Sequence, residues 1–410
     1  MSYKRCRGRV LFSKENLFAF VSTYFRQDQQ KRKLVSQFES VFAEYIGVEY
    51  GIAVSCGKIA LYLCLKALGS KKGDEIIVPA YTVPEVIDVI VISGLRPIFV
   101  DINLQDGNMD VSLIEGRIGK HTKFILMTHI YGNPCDVDKI LEIAKKYNLE
   151  VIEDAAQACG AEYKEKKIGS FGKIGYFSFG ILKNFNTLGG AMIVTNDYNH
   201  VLLIRNLINN FGVMRKKELL KRLLTTLMLS FFTHPLIFAM FVYPMLSIKG
   251  FLKKEKINTF FESKVLSMAM LNRLKIRFTA EQAAIGLVQI NNIDRLNAEK
   301  IKKAKLLNAE LSSIDAVGIF KEKIGIKNIY LNYVIRINNR EKLVKHLFKH
   351  GIDVAQGNVV SCASLKRFSE FYCDCPNSKR LDEQNLYLPI YSPLKTGHIR
   401  EMAQLIKVGL

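Results

Sequence analysis

Short apolar runs alternate with helix-like segments between residues 50 and 196 of the chain. Seven of these runs predict strands, at Gly51–Ser55, Glu75–Pro79, Pro97–Val100, Lys123–Thr128, Glu150–Glu153, Ile174–Phe179 and Ala191–Thr195. Between them, helical spacing of apolar residues predicts helices over Lys58–Leu68, Glu85–Ser93 and Val137–Tyr147. This alternation indicates an α/β fold with a largely parallel sheet covered by helices on both faces. Ligands of such sheets bind outside the carboxyl ends of the strands, so the residues that follow each run are the candidates for a site.

Composition excludes several classes of protein. The 410 residues are 49% hydrophobic and 24% charged, which excludes a disordered or collagen-like chain and indicates a large domain with a smaller one. The eight cysteines form no Cys-x-x-Cys pair and no Cys/His set for zinc, so no metal site is predicted and a reduced, cytosolic compartment is expected. The N-terminus lacks the uninterrupted apolar segment of a secretory signal.

The positive charge is concentrated in two stretches. The whole chain carries +21, from 59 Lys/Arg and 38 Asp/Glu. Residues 1–33 contain nine basic and two acidic residues, and residues 213–264 contain ten and three, so each stretch carries +7. Neither stretch shows a helix-turn-helix, zinc-finger or RNA-binding pattern, so a nucleic-acid partner is not expected.

Three segments that follow predicted strands have residues suited to chemistry. Cys56-Gly57-Lys58 precedes a helix, where free backbone N–H groups bind phosphate, although an ordinary strand-to-helix turn explains the same pattern. Asp154 ends a nearly apolar strand, where a carboxylate would be poorly solvated. It either meets a cationic partner or caps a helix. Lys183 follows an apolar, aromatic run, where a lysine either becomes neutral and nucleophilic or extends its ammonium group to the surface.

Several motifs in order resemble the DegT/DnrJ/EryC1/StrS family of sugar aminotransferases. The matching stretches are Gly73–Thr82, Gly94–Asp101, His129–Gly132, Glu153–Ala158, Gly169–Gly172, Phe177–Phe179, Arg277–Leu287 and Leu388–Tyr391. The resemblance implies a pyridoxal-phosphate enzyme of fold type I, with a mostly parallel seven-stranded sheet flanked by helices and a smaller C-terminal α+β domain. It also implies a homodimer.

The resemblance implies a role for each site residue. Lys183 forms the Schiff base with the cofactor, and Asp154 pairs with the pyridinium nitrogen so that the ring can accept electrons. Gln157 approaches the ring hydroxyl, and Ser178 and the Cys56-Gly57-Lys58 turn hold the cofactor phosphate.

Three further positions depart from the family pattern. Lys58 replaces a threonine, Val83 replaces the aromatic residue that stacks on the cofactor ring, and Lys275 replaces an asparagine. By resemblance, the segment with Lys275 and Arg277 contacts the cofactor phosphate of the partner subunit.

The family pattern lapses over residues 211–270, which predicts a hydrophobic helical insertion. Residues 223–248 contain no Asp, Glu, Lys or Arg, and basic residues flank them on both sides. One transmembrane crossing would divide the fold and two would need roughly 40 residues, so a helical hairpin on an anionic membrane surface is favoured. A pair of helices buried in a dimer interface is the alternative. The predicted division of the chain is therefore a basic segment 1–34, a large domain 35–210, the insertion 211–270 and a connecting helix with the small domain 271–410.

These features predict an aminotransferase for cell-surface polysaccharide or glycolipid synthesis. By resemblance, an amino acid, glutamate in our interpretation, donates the amino group to a nucleotide- or lipid-linked keto-sugar. The expected location is the cytoplasm, at the inner face of the cell membrane. The alternatives are a sugar dehydratase of the same fold and a catalytically idle, membrane-associated regulatory or interaction protein, since Lys58, Val83 and Lys275 alter family motifs.

Overall fold

The computed structural model describes residues 4–252, 265–391 and 394–410. Its strands are β1 Tyr50–Val54, β2 Glu75–Pro79, β3 Tyr81–Thr82, β4 Arg96–Val100, β5 Thr122–Thr128, β6 Glu150–Asp154, β7 Glu162–Tyr163, β8 Lys166–Lys167, β9 Ile174–Ser178, β10 Ala191–Thr195, β11 Gly318–Ile319, β12 Ile326–Lys327, β13 Tyr333–Arg336, β14 Val360–Ser361 and β15 Asn385–Leu388. The α-helices are α1 Lys14–Tyr24, α2 Asp28–Ile46, α3 Gly57–Ala67, α4 Pro84–Ile92, α5 Val137–Lys146, α6 Tyr198–Asn209, α7 Lys216–Phe232, α8 Pro235–Ile237, α9 Tyr243–Leu252, α10 Met268–Arg273, α11 Ala280–Ile290, α12 Ile293–Leu311, α13 Arg340–Lys349, α14 Pro376–Gln384 and α15 Thr396–Gly409.

A seven-stranded sheet in the order β1-β10-β9-β6-β5-β2-β4 forms the centre of the large domain. β10 runs antiparallel to β1 and β9, and the other pairings are parallel. Each predicted strand lies within one residue of an observed one, and the three predicted helices correspond to α3, α4 and α5. The predicted α/β fold with a mostly parallel sheet is therefore confirmed.

Aromatic side chains fill the space between the sheet and α2. Phe38 and Phe42 of α2 are fully buried, and the Phe42 ring lies 5.1 Å from that of Phe177, 5.3 Å from that of Phe179 and 5.7 Å from that of Phe185. Phe177 lies within β9, and the other two flank the Lys183 turn. The aromatic core therefore supports both the sheet and the turn that carries Lys183.

A buried hydrogen bond between a histidine and a glutamate anchors the segment that leads into β9. Glu153 is fully buried and accepts hydrogen bonds from the backbone N–H groups of Phe171 at 2.8 Å and Gly172 at 2.9 Å. His129 Nε2 lies 3.2 Å from the Glu153 carboxylate, and His129 Nδ1 accepts from the backbone N–H of Cys135. Because Nδ1 is an acceptor, the Nε2 atom carries the ring proton and donates a hydrogen bond to Glu153.

The smaller domain is built around a sheet in the order β11-β13-β15, with α12, α13 and α15 packed on it. The basic N-terminal segment adds to this domain. Arg5 forms a parallel bridge with Ile352, and Arg7 donates two hydrogen bonds to Asp353, at 2.8 and 2.6 Å. Part of the N-terminal charge is therefore neutralised within the chain.

The segment predicted to be an insertion forms two helical arms, and we keep the name insertion for it. The first is α7, and the second runs through α8 and a π-helical turn, Phe238–Val242, into α9. No single helix among the described residues is long and apolar enough to span a membrane. The pair Lys216–Phe232 and Pro235–Ile248 passes that test only when combined, and it is bent by 67° at the break.

We expect Phe42→Ala to destabilise the large domain. The change removes a fully buried ring that packs against five other rings, and such truncations cost about 3–5 kcal/mol. Urea denaturation followed by circular dichroism measures the loss. Tyr372→Ala is the control, because Tyr372 is 68% exposed and its removal should change stability by roughly 0.5 kcal/mol or less. Equal losses in the two variants would contradict this account of the core.

Candidate active site

The carboxyl ends of β1, β9 and β6 meet at one edge of the central sheet. Asp154 is the last residue of β6, and Ser178 is the last residue of β9. Cys56 follows β1 closely and forms a bridge with Gly190, which precedes β10. The strand order therefore brings the Cys56 turn, Ser178 and Asp154 together, although they lie far apart along the chain.

Asp154 is the most deeply placed ionisable group at this edge. Its side chain is 4% exposed, and its Oδ1 atom accepts a hydrogen bond from the backbone N–H of Ala156 at 3.0 Å. Burial raises the pKa of Asp154, while the Tyr176 hydroxyl, the Ala156 N–H and the charge of Lys183 act in the opposite direction. A cation placed beside the carboxylate would therefore stabilise its charged form further.

Two buried hydroxyl residues lie level with Asp154 on the neighbouring strands. Thr128 pairs with Asp154 across β5, and Tyr176 pairs with it across β9. Residues paired in this way project to the same face of a sheet. The Tyr176 hydroxyl faces the Asp154 carboxylate and lowers its pKa. Thr128 Oγ1 has no hydrogen-bond partner among the described residues, so it remains available to a ligand. The sequence does not identify these two residues, because their position depends on strand pairing.

Lys183 lies on the turn that follows β9. Its ammonium group is desolvated, which lowers the pKa of Lys183 to about 8, and the positive charge of Lys58 acts in the same direction. The charges of Asp154 and Glu85 oppose the shift. A substantial fraction of Lys183 is therefore neutral near physiological pH, as attack on an aldehyde requires.

The turn before α3 forms a cradle suited to phosphate. Cys56 caps α3 without a side-chain hydrogen bond, so the first N–H groups of the helix are available to an anion. A Cβ atom on Gly57 would lie 3.3 Å from Ser178 Cβ, and one on Gly180 would lie 3.8 Å from Lys183 Cγ. Lys58 lies 4.0 Å from Glu85 and adds positive charge. Small residues thus leave space beside Ser178 for a bound group.

Gln157 is held by the backbone of a strained residue. Its Oε1 atom accepts a hydrogen bond from the N–H of Tyr131 at 3.1 Å, which leaves its NH₂ group to donate to a ligand. Tyr131 has a φ of +61°, an uncommon conformation for a bulky residue. Such strain persists where the surrounding contacts fix it, and it is frequent at functional sites.

Val83 caps the N-terminus of α4 and packs against a cluster that includes Tyr81 and Tyr131. Tyr81 cannot replace the missing aromatic residue without losing buried contacts. Its hydroxyl lies 2.6 Å from that of Tyr131 and accepts a hydrogen bond from Asn385 at 3.1 Å. An aliphatic side chain therefore occupies the position where the family has an aromatic one.

Lys275 and Arg277 make contacts on the surface of the large domain. Lys275 Nζ lies 4.8 Å from the ring centroid of Tyr62, and Arg277 donates to the backbone oxygen of Asn209 at 2.7 Å. Neither contact joins these residues to Lys183 of the same chain. Arg277 is exposed and thus accessible to another subunit.

Helix α11 holds the turn that carries Lys183. Gln282 Nε2 donates to the oxygen of Gly189 at 2.7 Å, and the N–H of Asn186 donates to Gln289 Oε1 at 2.9 Å. The sequence contains no local signal for these contacts. They fix the turn from a helix that begins about a hundred residues later.

These groups fit pyridoxal phosphate. Asp154 would offer an anion to the ring nitrogen, Lys183 an amine to the aldehyde, Gln157 a donor to the ring hydroxyl, and the α3 turn backbone N–H groups to the phosphate. The fold and the site together define a pyridoxal-phosphate-dependent transferase of fold type I.

The sequence model of the DegT/DnrJ/EryC1/StrS aminotransferase family matches residues 16–229 and 243–407, so the chain belongs to that family. The predicted lapse of the family pattern over residues 211–270 is therefore too wide, because within that range only residues 230–242 lie outside the match. A GDP-perosamine synthase of Escherichia coli O157:H7 is 47% identical over 167 residues, which span 41% of this chain and 46% of that protein. The chain thus matches about half the length of this curated relative. An uncharacterized protein of Methanocaldococcus jannaschii is 30% identical over 384 residues, which cover 90% of this chain and 88% of that one.

Solved structures share the fold. An aminotransferase from Psychrobacter cryohalolentis has a TM-score of 0.76 at 24% identity and covers 97% of both chains. The GDP-4-keto-6-deoxy-D-mannose-3-dehydratase of E. coli, with bound hydrated PLP, has a TM-score of 0.75 at 21% identity and covers 99% of this chain and all of that one.

We expect the rate at which the cofactor-free protein captures pyridoxal phosphate to rise with pH and to have its midpoint near the Lys183 pKa of about 8. Only the neutral amine attacks, so an unperturbed lysine would give a midpoint near about 10.4. Stopped-flow absorbance measures the rate.

Charge-removing variants test the cause of the shift. Lys58→Gln should raise the midpoint and Asp154→Asn should lower it, because Lys58 lowers the Lys183 pKa and Asp154 raises it. Lys72→Gln, an exposed lysine after α3, should leave the midpoint unchanged. Identical profiles for all four proteins would exclude Lys183 as the titrating nucleophile.

Proposed function

We propose that the protein transfers an amino group from an amino acid, glutamate in the simplest case, to a nucleotide- or lipid-linked keto-sugar. The observation that carries the proposal is the pair of Lys183 and Asp154 at one sheet edge, with a nucleophilic lysine and a buried carboxylate. The named relatives support the substrate class. Besides the perosamine synthase, a dTDP-3-amino-3,6-dideoxy-alpha-D-galactopyranose transaminase of Aneurinibacillus thermoaerophilus is 43% identical over 185 residues, 45% of this chain and 51% of that protein.

The bound cofactor supplies an electron sink that stabilises a carbanion next to the transferred nitrogen. Asp154 keeps the ring nitrogen protonated by offering a buried negative charge to it. With the cofactor bound, Lys183 Nζ would accept a proton from one carbon and return it to another, for which a pKa of about 8 is suitable. Gln157 would hold the ring hydroxyl, and the α3 turn would hold the phosphate.

Lys183 favours amino transfer over dehydration. By resemblance, relatives that dehydrate sugars have a histidine in place of this lysine. A lysine returns the proton that amino transfer needs, whereas dehydration requires loss of a hydroxyl group. We therefore keep amino transfer as the proposed reaction.

We also propose that the enzyme works as a homodimer in the cytoplasm, at the inner face of the membrane. One feature supports the cytoplasmic location and a second supports the dimer. All eight cysteines are free, as in a reducing compartment. An open groove of about 510 Å³ between α1, α2 and α11 has an apolar lining that includes Phe18, Leu34 and Leu287, and α11 follows the Lys275–Phe278 segment directly.

We expect Asp154→Asn to bind cofactor but to turn over slowly. The amide is the same size and cannot keep the ring nitrogen protonated, so turnover should fall by about two orders of magnitude or more. The cofactor-loaded protein is assayed with glutamate and a panel of nucleotide-linked keto-sugars, and mass spectrometry identifies the amino-sugar. Loss of water from the sugar with no nitrogen gained would indicate the dehydratase, and no product from any sugar would count against the proposal. Normal turnover in the variant would mean that Asp154 acts only as a helix cap.

We expect mixed dimers of Lys183→Ala and Arg277→Ala subunits to regain activity. If Arg277 serves the partner's site, each mixed dimer has one site with both residues intact, so random mixing restores about a quarter of the activity. Mixing Lys183→Ala with Asp154→Asn is the matched control, because both residues act in the same subunit's site and no intact site can form. Failure of the first mixture after demonstrated subunit exchange would contradict a shared site.

A further inference from the structure

Both arms of the insertion expose apolar side chains on their outward faces. Leu224, Met228 and Phe231 on α7, and Leu236, Met240 and Phe241 on the second arm, are each more than half exposed. The three residues on α7 follow the i, i+4, i+7 spacing of one helix face. Exposed apolar patches of this kind mark interaction sites in folded proteins.

The opposite faces of both arms are already buried against the protein. Leu219 and Leu223 of α7 pack in a cluster with Phe20 of α1 and Ile285 of α11. Phe238 of the second arm joins the core of the small domain, and the Tyr243 hydroxyl donates to the backbone oxygen of Phe348. Neither arm can be surrounded by lipid without breaking these contacts. Together with the 67° bend, this argues against a transmembrane span.

Basic residues predominate in the segment that carries the apolar surface. From residue 215 to residue 252 the sequence has six Lys/Arg and a single acidic residue, Glu218. Glu218 is already paired with Arg222, whose Nε atom lies 3.3 Å from it. Arg215, Lys217 and Lys221 are exposed at the start of α7. An apolar face with cations beside it is complementary to an anionic lipid surface. The acyl chains of the lipid accept the apolar groups, and its headgroups attract the cations.

The same charges disfavour a second copy of the chain as the occupant. A two-fold dimer places the same patch on both sides of the interface. Two such basic surfaces would then face each other, and like charges across an interface oppose association.

We infer that the outward faces of α7 and of the α8–α9 arm dock on an anionic phospholipid bilayer, in the plane of the headgroups. The inference rests on the proposed function for its purpose, since it would bring the active site to a lipid-linked or membrane-handled sugar. The structure supplies a connection between the two. Arg222 of α7 donates to the backbone oxygen of Leu188 at 3.4 Å, five residues beyond Lys183, and Leu188 packs in the same cluster as Leu219 and Leu223.

Flotation of the full-length, cofactor-loaded protein tests the inference. The vesicles contain phosphatidylcholine alone or phosphatidylcholine mixed with phosphatidylglycerol. We expect flotation with the anionic vesicles, weakened but retained at high salt because only the ionic part of the attraction is screened. An apolar variant, Leu224→Gln with Met228→Gln and Phe241→Ser, should bind at least roughly a hundredfold more weakly.

A variant that lacks three basic residues and a control variant separate the ionic contribution to binding from the apolar one. Arg215→Gln with Lys217→Gln and Lys221→Gln should weaken binding by roughly a hundredfold at low salt. The control, Leu113→Gln with Tyr372→Ser and Val408→Thr, changes exposed apolar residues elsewhere and should float like the unchanged protein.

Three results would overturn the inference. The first is equal flotation of the apolar variant and the unchanged protein, and the second is no flotation of the unchanged protein. The third is a dimer that the apolar variant no longer forms, while the unchanged protein does not bind vesicles. Amino transfer to a water-soluble keto-sugar without lipid is measured in parallel. Because no residue of either variant lies in the catalytic site, that activity reports on the proposed function and flotation reports on docking.

Discussion

The site depends on a negative charge buried at the end of a strand. Removing the Asp154 carboxylate from water is costly, and in the folded chain it is offset by one backbone N–H and by the nearby charges and hydroxyl. The parallel alignment of β5, β6 and β9 makes this arrangement possible, because it places Thr128 and Tyr176 level with the carboxylate. A protonated ring nitrogen is the kind of group that satisfies such an anion. The order of the strands thus determines where the cofactor can bind.

The Lys183 turn is the second element that the rest of the molecule supports. Residues 184–190 are held by two glutamine side chains of α11, and the aromatic core lies beneath them. The segment before α11 contains Lys275 and Arg277, which by resemblance serve the partner. One helix therefore fixes the nucleophile of its own chain and, in the proposed dimer, presents residues to the other. This arrangement explains how catalysis can depend on assembly.

Local sequence predicts most of the fold and part of the site. Apolar runs place the seven strands within a residue, because a strand buried on both faces must be apolar throughout. Lys183 and Asp154 stand out because polar residues end such runs. Thr128, Tyr176, Gln282 and Gln289 could not be found this way, since their positions depend on strand register or on contacts between distant segments. The pairing of Arg5 with Ile352 is of the same kind.

Leu188 shows why the insertion and the active site are not independent. Its φ of +61° costs roughly 1–3 kcal/mol for a residue with a side chain, yet glycine, which would avoid the cost, is absent at this position. The Leu188 side chain is 1% exposed and packs with Phe20, Leu219 and Leu223, so its burial offsets the strain. Moving α7 away would remove that burial and leave the strained conformation without support. A force that acts on α7, such as attachment to a surface, is therefore transmitted to the turn that carries Lys183.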